Sequence, residues 1–231
     1  MRALLLALLL APGAGAIDME EPGAPAQHAR GVVEALPVEA RVELRRMYMR
    51  YRDEVATRVD QGWTPGLLSD AVIEDLDDPF QPARLLEESE KNRRKYLADQ
   101  QAALAKMSPD SPEIARQMAR VENEKVVVER AHQKNSREKG ICRDWSDDIW
   151  SMLTKMNPDH WTVDDRRRTS RPFHSAAVLC SPQEDPTVCL VFDPWTEGKP
   201  SVYAFQAWDA KQAGARLPAE YLLHGLPEKA P

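Results

Sequence analysis

The sequence predicts an α+β protein, with a helical N-terminal region followed by a small domain carrying an antiparallel sheet. Between Pro37 and Lys134, apolar residues recur at helical spacing within highly charged segments. From Gly140 onward Trp, Cys, Pro and β-branched residues concentrate, and short strand-like runs separated by turn residues replace the helical period.

Residues 1–16 stand apart from the fold. Met1-Arg2 is followed by an apolar run, Ala3 to Ala11, and by Pro12-Gly13-Ala14-Gly15-Ala16. The run is too short for a bilayer, which needs about 20 residues. A positive start, a short apolar stretch and small residues read as a secretory signal peptide cut after Ala16. Residues 17–36, rich in Pro, Gly, Ala and Glu, read as a flexible leader.

The helical region is assigned to 37–137. Pro37 to Gln61 is a helix with Val38, Val42, Leu44, Met47, Tyr48 and Tyr51 on one side. Pro65 and Gly66 end it, and a short helix, Leu67 to Leu76, stops at Asp77-Asp78-Pro79. Pro82 to Lys106 is a charged helix with a thin apolar stripe. After the turn Ser108 to Pro112 a helix restarts, with Ser111 as cap, Pro112 at its first position and Ile114, Met118, Val121 and Val128 inside. These two helices should form an antiparallel hairpin that shields the domain, with the second, Pro112 to Lys134, packed on it and the first dispensable.

The C-terminal domain is assigned to 138–231. Cys142 to Met156 is a helix presenting Trp145, Ile149, Met152 and Met156, and Asn157-Pro158 stops it. Two strands follow, His174 to Cys180 and Thr187 to Asp193, joined by Ser181-Pro182-Gln183-Glu184-Asp185-Pro186. A third strand spans Ser201 to Trp208, and Ala215 to Pro231 is a peripheral tail.

The 231-residue chain carries a formal charge of −6, which disfavours nucleic acid as a partner. Arg166-Arg167-Arg168 reads as a solvated loop. No apolar stretch after Ala16 is long enough for a transmembrane segment. There are three cysteines, Cys142, Cys180 and Cys189, so an exported chain can pair two and leave one odd thiol. Cys180 and Cys189 flank one short loop and are the expected disulfide. The chain has no Asn-x-Ser/Thr sequon, which favours a bacterial periplasm. His28, His132 and His224 lack metal-ligand spacing, and no Gly-rich phosphate loop occurs, so neither metal nor cofactor is expected.

The chemistry-bearing order is Cys142, His174, Asp193. Cys142 opens a helix, where unpaired N–H groups stabilise a thiolate and can bind an oxyanion. His174 begins a strand and suits a base that later acts as acid, while Asp193 ends the next strand and suits an orienting carboxylate. Facing Cys180 with Cys189 puts Ala176 opposite Asp193 and His174 opposite Trp195. His174 and Asp193 then share a sheet face as diagonal neighbours, roughly 7–8 Å apart at Cβ. Gln133 and Asn135 are the upstream amides that would serve as a side-chain oxyanion donor. Trp195, Trp208 and Tyr203 read as core, although an aromatic rim near Asp193 suits a peptide cleft.

Gly140-Ile141-Cys142-Arg143-Asp144-Trp145-Ser146 resembles the nucleophile motif of the bacterial transglutaminase-like cysteine proteinases. His174-Ser175-Ala176-Ala177-Val178 resembles the histidine strand, and Val191-Phe192-Asp193-Pro194-Trp195 the strand ending in the acid. The resemblance spans Gly140 to Trp208. It implies a papain-like (transglutaminase-like) fold with Cys142, His174 and Asp193 as catalytic triad. Acidic residues beside the cysteine help bind calcium in some relatives. Here those positions are Ile141 and Arg143, while Asp144 matches, so a calcium requirement does not carry over. The implied activity is thiol-dependent amide hydrolysis of a protein or peptide, periplasmic or secreted. The alternatives are a transglutaminase, a peptidoglycan amidase, or a non-catalytic binding or assembly module that keeps the fold.

Overall fold

The computed structural model describes residues 23–68, 81–168, 174–181 and 188–230. The signal peptide expected over 1–16, most of the short helix expected over 67–76 and the hairpin loop 182–187 lie outside the described residues. The element order is α1 (Ala24–Ala35), α2 (Val38–Asp60), α3 (Ala83–Ala105), α4 (Ile114–Asn135), α5 (Cys142–Lys155), β1 (Thr162–Arg168), β2 (His174–Cys180), β3 (Cys189–Phe192), β4 (Val202–Ala204) and α6 (Phe205–Asp209), followed by a π-helical turn, Tyr221–Gly225. This is a mixed fold: helices plus one four-stranded antiparallel sheet in the order β1-β2-β3-β4. Among the described residues no helix is long and apolar enough to cross a membrane.

The register places Cys180 opposite Cys189, Leu179 opposite Leu190, Val178 opposite Val191 and Ala177 opposite Phe192. Side chains alternate between faces. Ala177, Leu179, Leu190 and Phe192 join Trp145, Ile149 and Leu153 of α5 in the main core. The opposite face carries Ala176, Val178 and Val191, covered by Trp208.

The helical half contributes to that main core. Leu44, Met47, Tyr48, Tyr51 and Val55 of α2 are buried within it. The Tyr51 ring meets Phe192 edge-on at 4.9 Å, and its hydroxyl donates to the Ser201 carbonyl at 3.0 Å. Glu43 accepts the backbone N–H groups of Asp159 and His160 at 3.0 and 2.8 Å, and the Trp161 indole donates to the Ala40 carbonyl at 2.9 Å. These contacts tie α2 to the entry of β1.

Several expectations are corrected. The leader expected over 17–36 is helical from Ala24. Ala is the strongest helix former, Pro25 is tolerated in the first turn, and Ala26, Ala29 and Val33 form a buried stripe. Composition alone mistook a small-residue helix for a linker. Arg166-Arg167-Arg168 belongs to β1 rather than a loop, held by pairing with Ala176, Ser175 and His174. The third strand ends at Ala204 and turns into α6, because Trp208 must fold back over the sheet. The tail is structural: Leu217, Tyr221, Leu222 and Leu226 are buried, and Leu217 and Ala215 bond to the outer edge of β4. The fourth helix begins at Ile114 rather than Pro112, and Ser111 accepts from the Glu113 N–H at 3.3 Å, one turn early.

α3 and α4 form the expected antiparallel hairpin, pinned where Gln117 donates to Gln100 and where Asn135 and His132 meet Glu90. The hairpin attaches the other way round from expectation. α3 packs on α5, with Arg84 bonded to Asp147 and Lys139 to Glu87, while α4 lies outside on α3. Which helix is inner is fixed by these charge pairs, by the Ala83 N–H bonded to Asp144 and by the burial of Ala83 and Leu86, contacts that periodicity does not display.

Cys180 and Cys189 are joined as a disulfide across the β2–β3 pair. The closed loop is short, with a sequence separation of 9. Replacing both by Ser should therefore lower unfolding free energy by no more than about 3 kcal/mol. Urea titration checks the stability, and an unchanged rate of Cys142 labelling checks that the site is untouched.

Candidate active site

Cys142 is the free cysteine and opens α5, where the backbone leaves Ile141 in an extended conformation and enters the helix. The approach is fixed by Gly140, which sits at φ 120°. A Cβ there would fall 2.2 Å from the Thr64 carbonyl oxygen, so only glycine fits. Thr64 donates its N–H to the Lys139 carbonyl at 2.9 Å, and Leu67 bridges to Ile141 in parallel. Segment 64–67 thus runs alongside the residues that lead into Cys142.

Asp144 secures the first turn of α5. It is fully buried and accepts from the Gly140 N–H at 3.0 Å, from the Ala83 N–H at 2.8 Å, and from Arg137 through both guanidinium nitrogens at 2.6 and 3.0 Å. The carboxylate sits where a helix N-terminus favours negative charge. It binds the end of α4, the start of α3 and the turn before Cys142 into one unit. In the sequence Asp144 is marked only by its place in the Gly140–Ser146 motif.

His174 and Asp193 meet on the sheet face that the register requires. The imidazole Nε2–H donates to Asp193 Oδ2 at 2.6 Å. Asp193 also accepts from the Trp208 indole at 2.9 Å and from the Trp195 N–H at 3.2 Å. The ring lies between Trp195 and Trp208, with centroids at 4.7 and 5.6 Å. Both members of the pair are nearly excluded from water. With Nε2 committed to the acid, Nδ1 is the nitrogen left for the thiol. It is buried and takes no hydrogen bond of standard geometry among the described residues, yet Cys142 is near enough to raise the proton affinity of the imidazole. Compared with the Ser-His-Asp template, the two ring nitrogens exchange roles.

Burial opposes a charged imidazole here, but the bond to Asp193 and the proximity of Cys142 outweigh it and hold His174 at about 9. The arrangement therefore keeps a proton donor beside the Cys142 sulfur at neutral pH.

The expected amide donors do not reach this site. Asn135 donates to Glu90 at 2.7 Å and Gln133 to Glu129 at 3.2 Å. Both sit on α4, turned into the hairpin or along it. The sulfur belongs to the first residue of α5, where the helix N–H groups begin; those of Asp144 and Trp145 donate to the Ile141 carbonyl. Trp195 and Trp208, read from sequence as core, are the walls of the imidazole. The Trp195 indole also donates to the Leu67 carbonyl at 3.0 Å, and its carbonyl accepts from Gly66 at 2.7 Å, so the 64–67 segment bridges the cysteine side and the histidine side. The neighbouring Asp-Pro-Trp spelling hinted at Trp195; nothing in the sequence pointed to Arg137 or to Trp208 as a donor. No group of side chains suited to a metal ion occurs among the described residues. Comparison with protein-family models, with curated proteins and with solved structures found no match for this chain.

Proposed function

We propose that this chain is an exported thiol-dependent amide hydrolase, a cysteine peptidase of transglutaminase-like, papain-like type. The observation that carries the reading is the buried His174, bonded through Nε2 to Asp193 and influenced by the only free cysteine at a helix start. Cys142, as the thiolate paired with the His174 imidazolium, attacks the carbonyl carbon of a peptide amide, forming the C–S bond as the C–O π bond opens to an oxyanion. The oxyanion is met by N–H groups at the α5 terminus. His174 passes its Nδ1 proton to the leaving amine as the C–N bond breaks. Water then attacks the thioester, giving its proton to His174 and releasing the acid and the thiolate. An amine in place of water would make the reaction a transamidation. The Cys180–Cys189 bond supports an oxidising compartment.

Incubation with a thiol-directed acylating probe, followed by peptide mass spectrometry, tests the proposal. Modification confined to Cys142 and lost in His174→Ala supports it. A Cys142 that labels no faster than a denatured thiol sinks it and promotes the binding-module reading. That second reading draws on the exposed Tyr96, Met118 and Val126 of the hairpin.

The acid on His174 sets the pH dependence. Its folded value lies above the ordinary one, so the stability it contributes is full below about pH 6.5 and is lost as pH rises through about 9. The acylation rate, which needs the imidazolium proton, should show an alkaline limb near pH 9. Asp193→Asn removes the carboxylate that holds the proton, so the limb should move to lower pH. A profile unchanged by Asp193→Asn contradicts the assigned role.

A further inference from the structure

Against Asp193 and Trp208, which hold and wall His174, lies a cavity of about 280 Å³, lined also by Arg168, Tyr203, Lys211 and Arg216 among others. We propose that Arg168 makes this cavity a subsite for a carboxylate just C-terminal to the scissile amide, so that the substrates are peptides acidic on the leaving-group side. The inference rests on the hydrolase reading above.

The placement follows from the chemistry. The imidazole must deliver its proton to the leaving nitrogen, so the leaving portion of the substrate passes over the side chains that surround His174. Those are Trp195, Trp208 and Arg168, the last being the cross-strand partner of His174 at the end of β1. The guanidinium lies over the Trp208 ring, 4.4 Å from its centroid. Stacking holds its plane while leaving its edge available for a carboxylate. Its Nε is buried and takes no hydrogen bond among the described residues, a donor that a bidentate anion would satisfy.

The charges around the cavity agree. Arg168, Lys211 and Arg216 line it, and the one acid in its wall, Asp193, already accepts from His174, Trp208 and Trp195. Arg216 is partly shared with Glu197 at 3.6 Å, which leaves Arg168 as the main anchor. The volume suits a side chain or a chain terminus rather than a large ligand.

The test uses the full chain and equimolar peptide mixtures whose products are counted by mass spectrometry. Peptides with a varied acyl side carry Glu, Gln or Lys after the scissile bond and an amidated end. A second set carries a neutral residue there, ending in either a free carboxylate or an amide. The wild type should prefer Glu over Gln by about tenfold and cleave the Lys peptides least. The free-carboxylate arm distinguishes a terminal carboxylate from a side-chain one as the preferred anion. In Arg168→Gln the acidic-to-neutral ratio should fall to about unity, while Arg168→Lys should retain part of it. A wild-type ratio within about twofold of unity in both sets, or a ratio that survives Arg168→Gln, overturns the proposal. If the wild type cleaves no peptide, the hydrolase reading fails on its own. Arg168 is then judged by equilibrium binding of the same peptides to Cys142→Ala. About tenfold tighter binding of acidic peptides, abolished by Arg168→Gln, supports the subsite, and equal binding overturns it.

Discussion

Cys142→Ala is expected to abolish turnover and probe labelling while leaving the fold and the Cys180–Cys189 bond in place. The sulfur is the proposed nucleophile, and no other free cysteine exists among the described residues to replace it. The side chain is only half-buried and Ala is a good helix former, so the substitution leaves little void and no backbone conflict. His174→Ala should lower the rate by roughly 10²–10⁴-fold, since the leaving amine loses its acid and the thiolate its counter-charge. Combining the two should cost no more than Cys142→Ala alone, because the groups act as one unit. Single-turnover kinetics, with circular dichroism as the control for folding, decide the matter. Residual turnover in Cys142→Ala, equal to that of the wild type, would place the chemistry elsewhere.

The largest loss of stability is expected from Asp144→Ala. The carboxylate is fully buried and holds Arg137, whose side chain is only 7% exposed, together with the N–H groups of Gly140 and Ala83. Removing it strands a buried cation and two buried donors. A buried pair broken on one side costs about 3–5 kcal/mol, and denaturant unfolding should show a loss of that size. The double variant Asp144→Ala, Arg137→Met should recover part of it, since the stranded charge is then gone. A single variant as stable as the wild type would show that the cluster contributes no net stability. Labelling of Cys142 should also slow in Asp144→Ala, because Gly140 loses the acceptor that fixes the turn before the nucleophile.

The helices α2, α3 and α5 and the hairpin of β2 and β3 follow from local pattern. Apolar spacing, proline stops and turn clusters are short-range signals that survive translation into structure with shifts of a residue or two. One assumption about facing cysteines was enough to pair β2 with β3 and to put His174 and Asp193 on one face, since strand side chains alternate with a fixed period. The meeting of His174 with Asp193 was therefore legible in the sequence, as was the place of Cys142 at a helix start.

Their surroundings were not. β1 spells Thr-Val-Asp-Asp-Arg-Arg-Arg, which no propensity marks as a strand; it is one because β2 offers it an edge. The leader becomes α1 and the tail becomes core because each finds apolar surface left uncovered by other elements. Asp144 and Arg137, the two tryptophans around the imidazole, and the 64–67 segment bridging Cys142 and His174 are contacts between distant parts of the chain. The sequence by itself named Cys142, His174 and Asp193 as the candidate residues and marked which stretches are periodic. Tertiary structure decided which nitrogen of His174 faces the acid, what buries it and which cations line the adjacent cavity. Those properties depend on desolvation and on long-range packing, and neither is encoded at any single position.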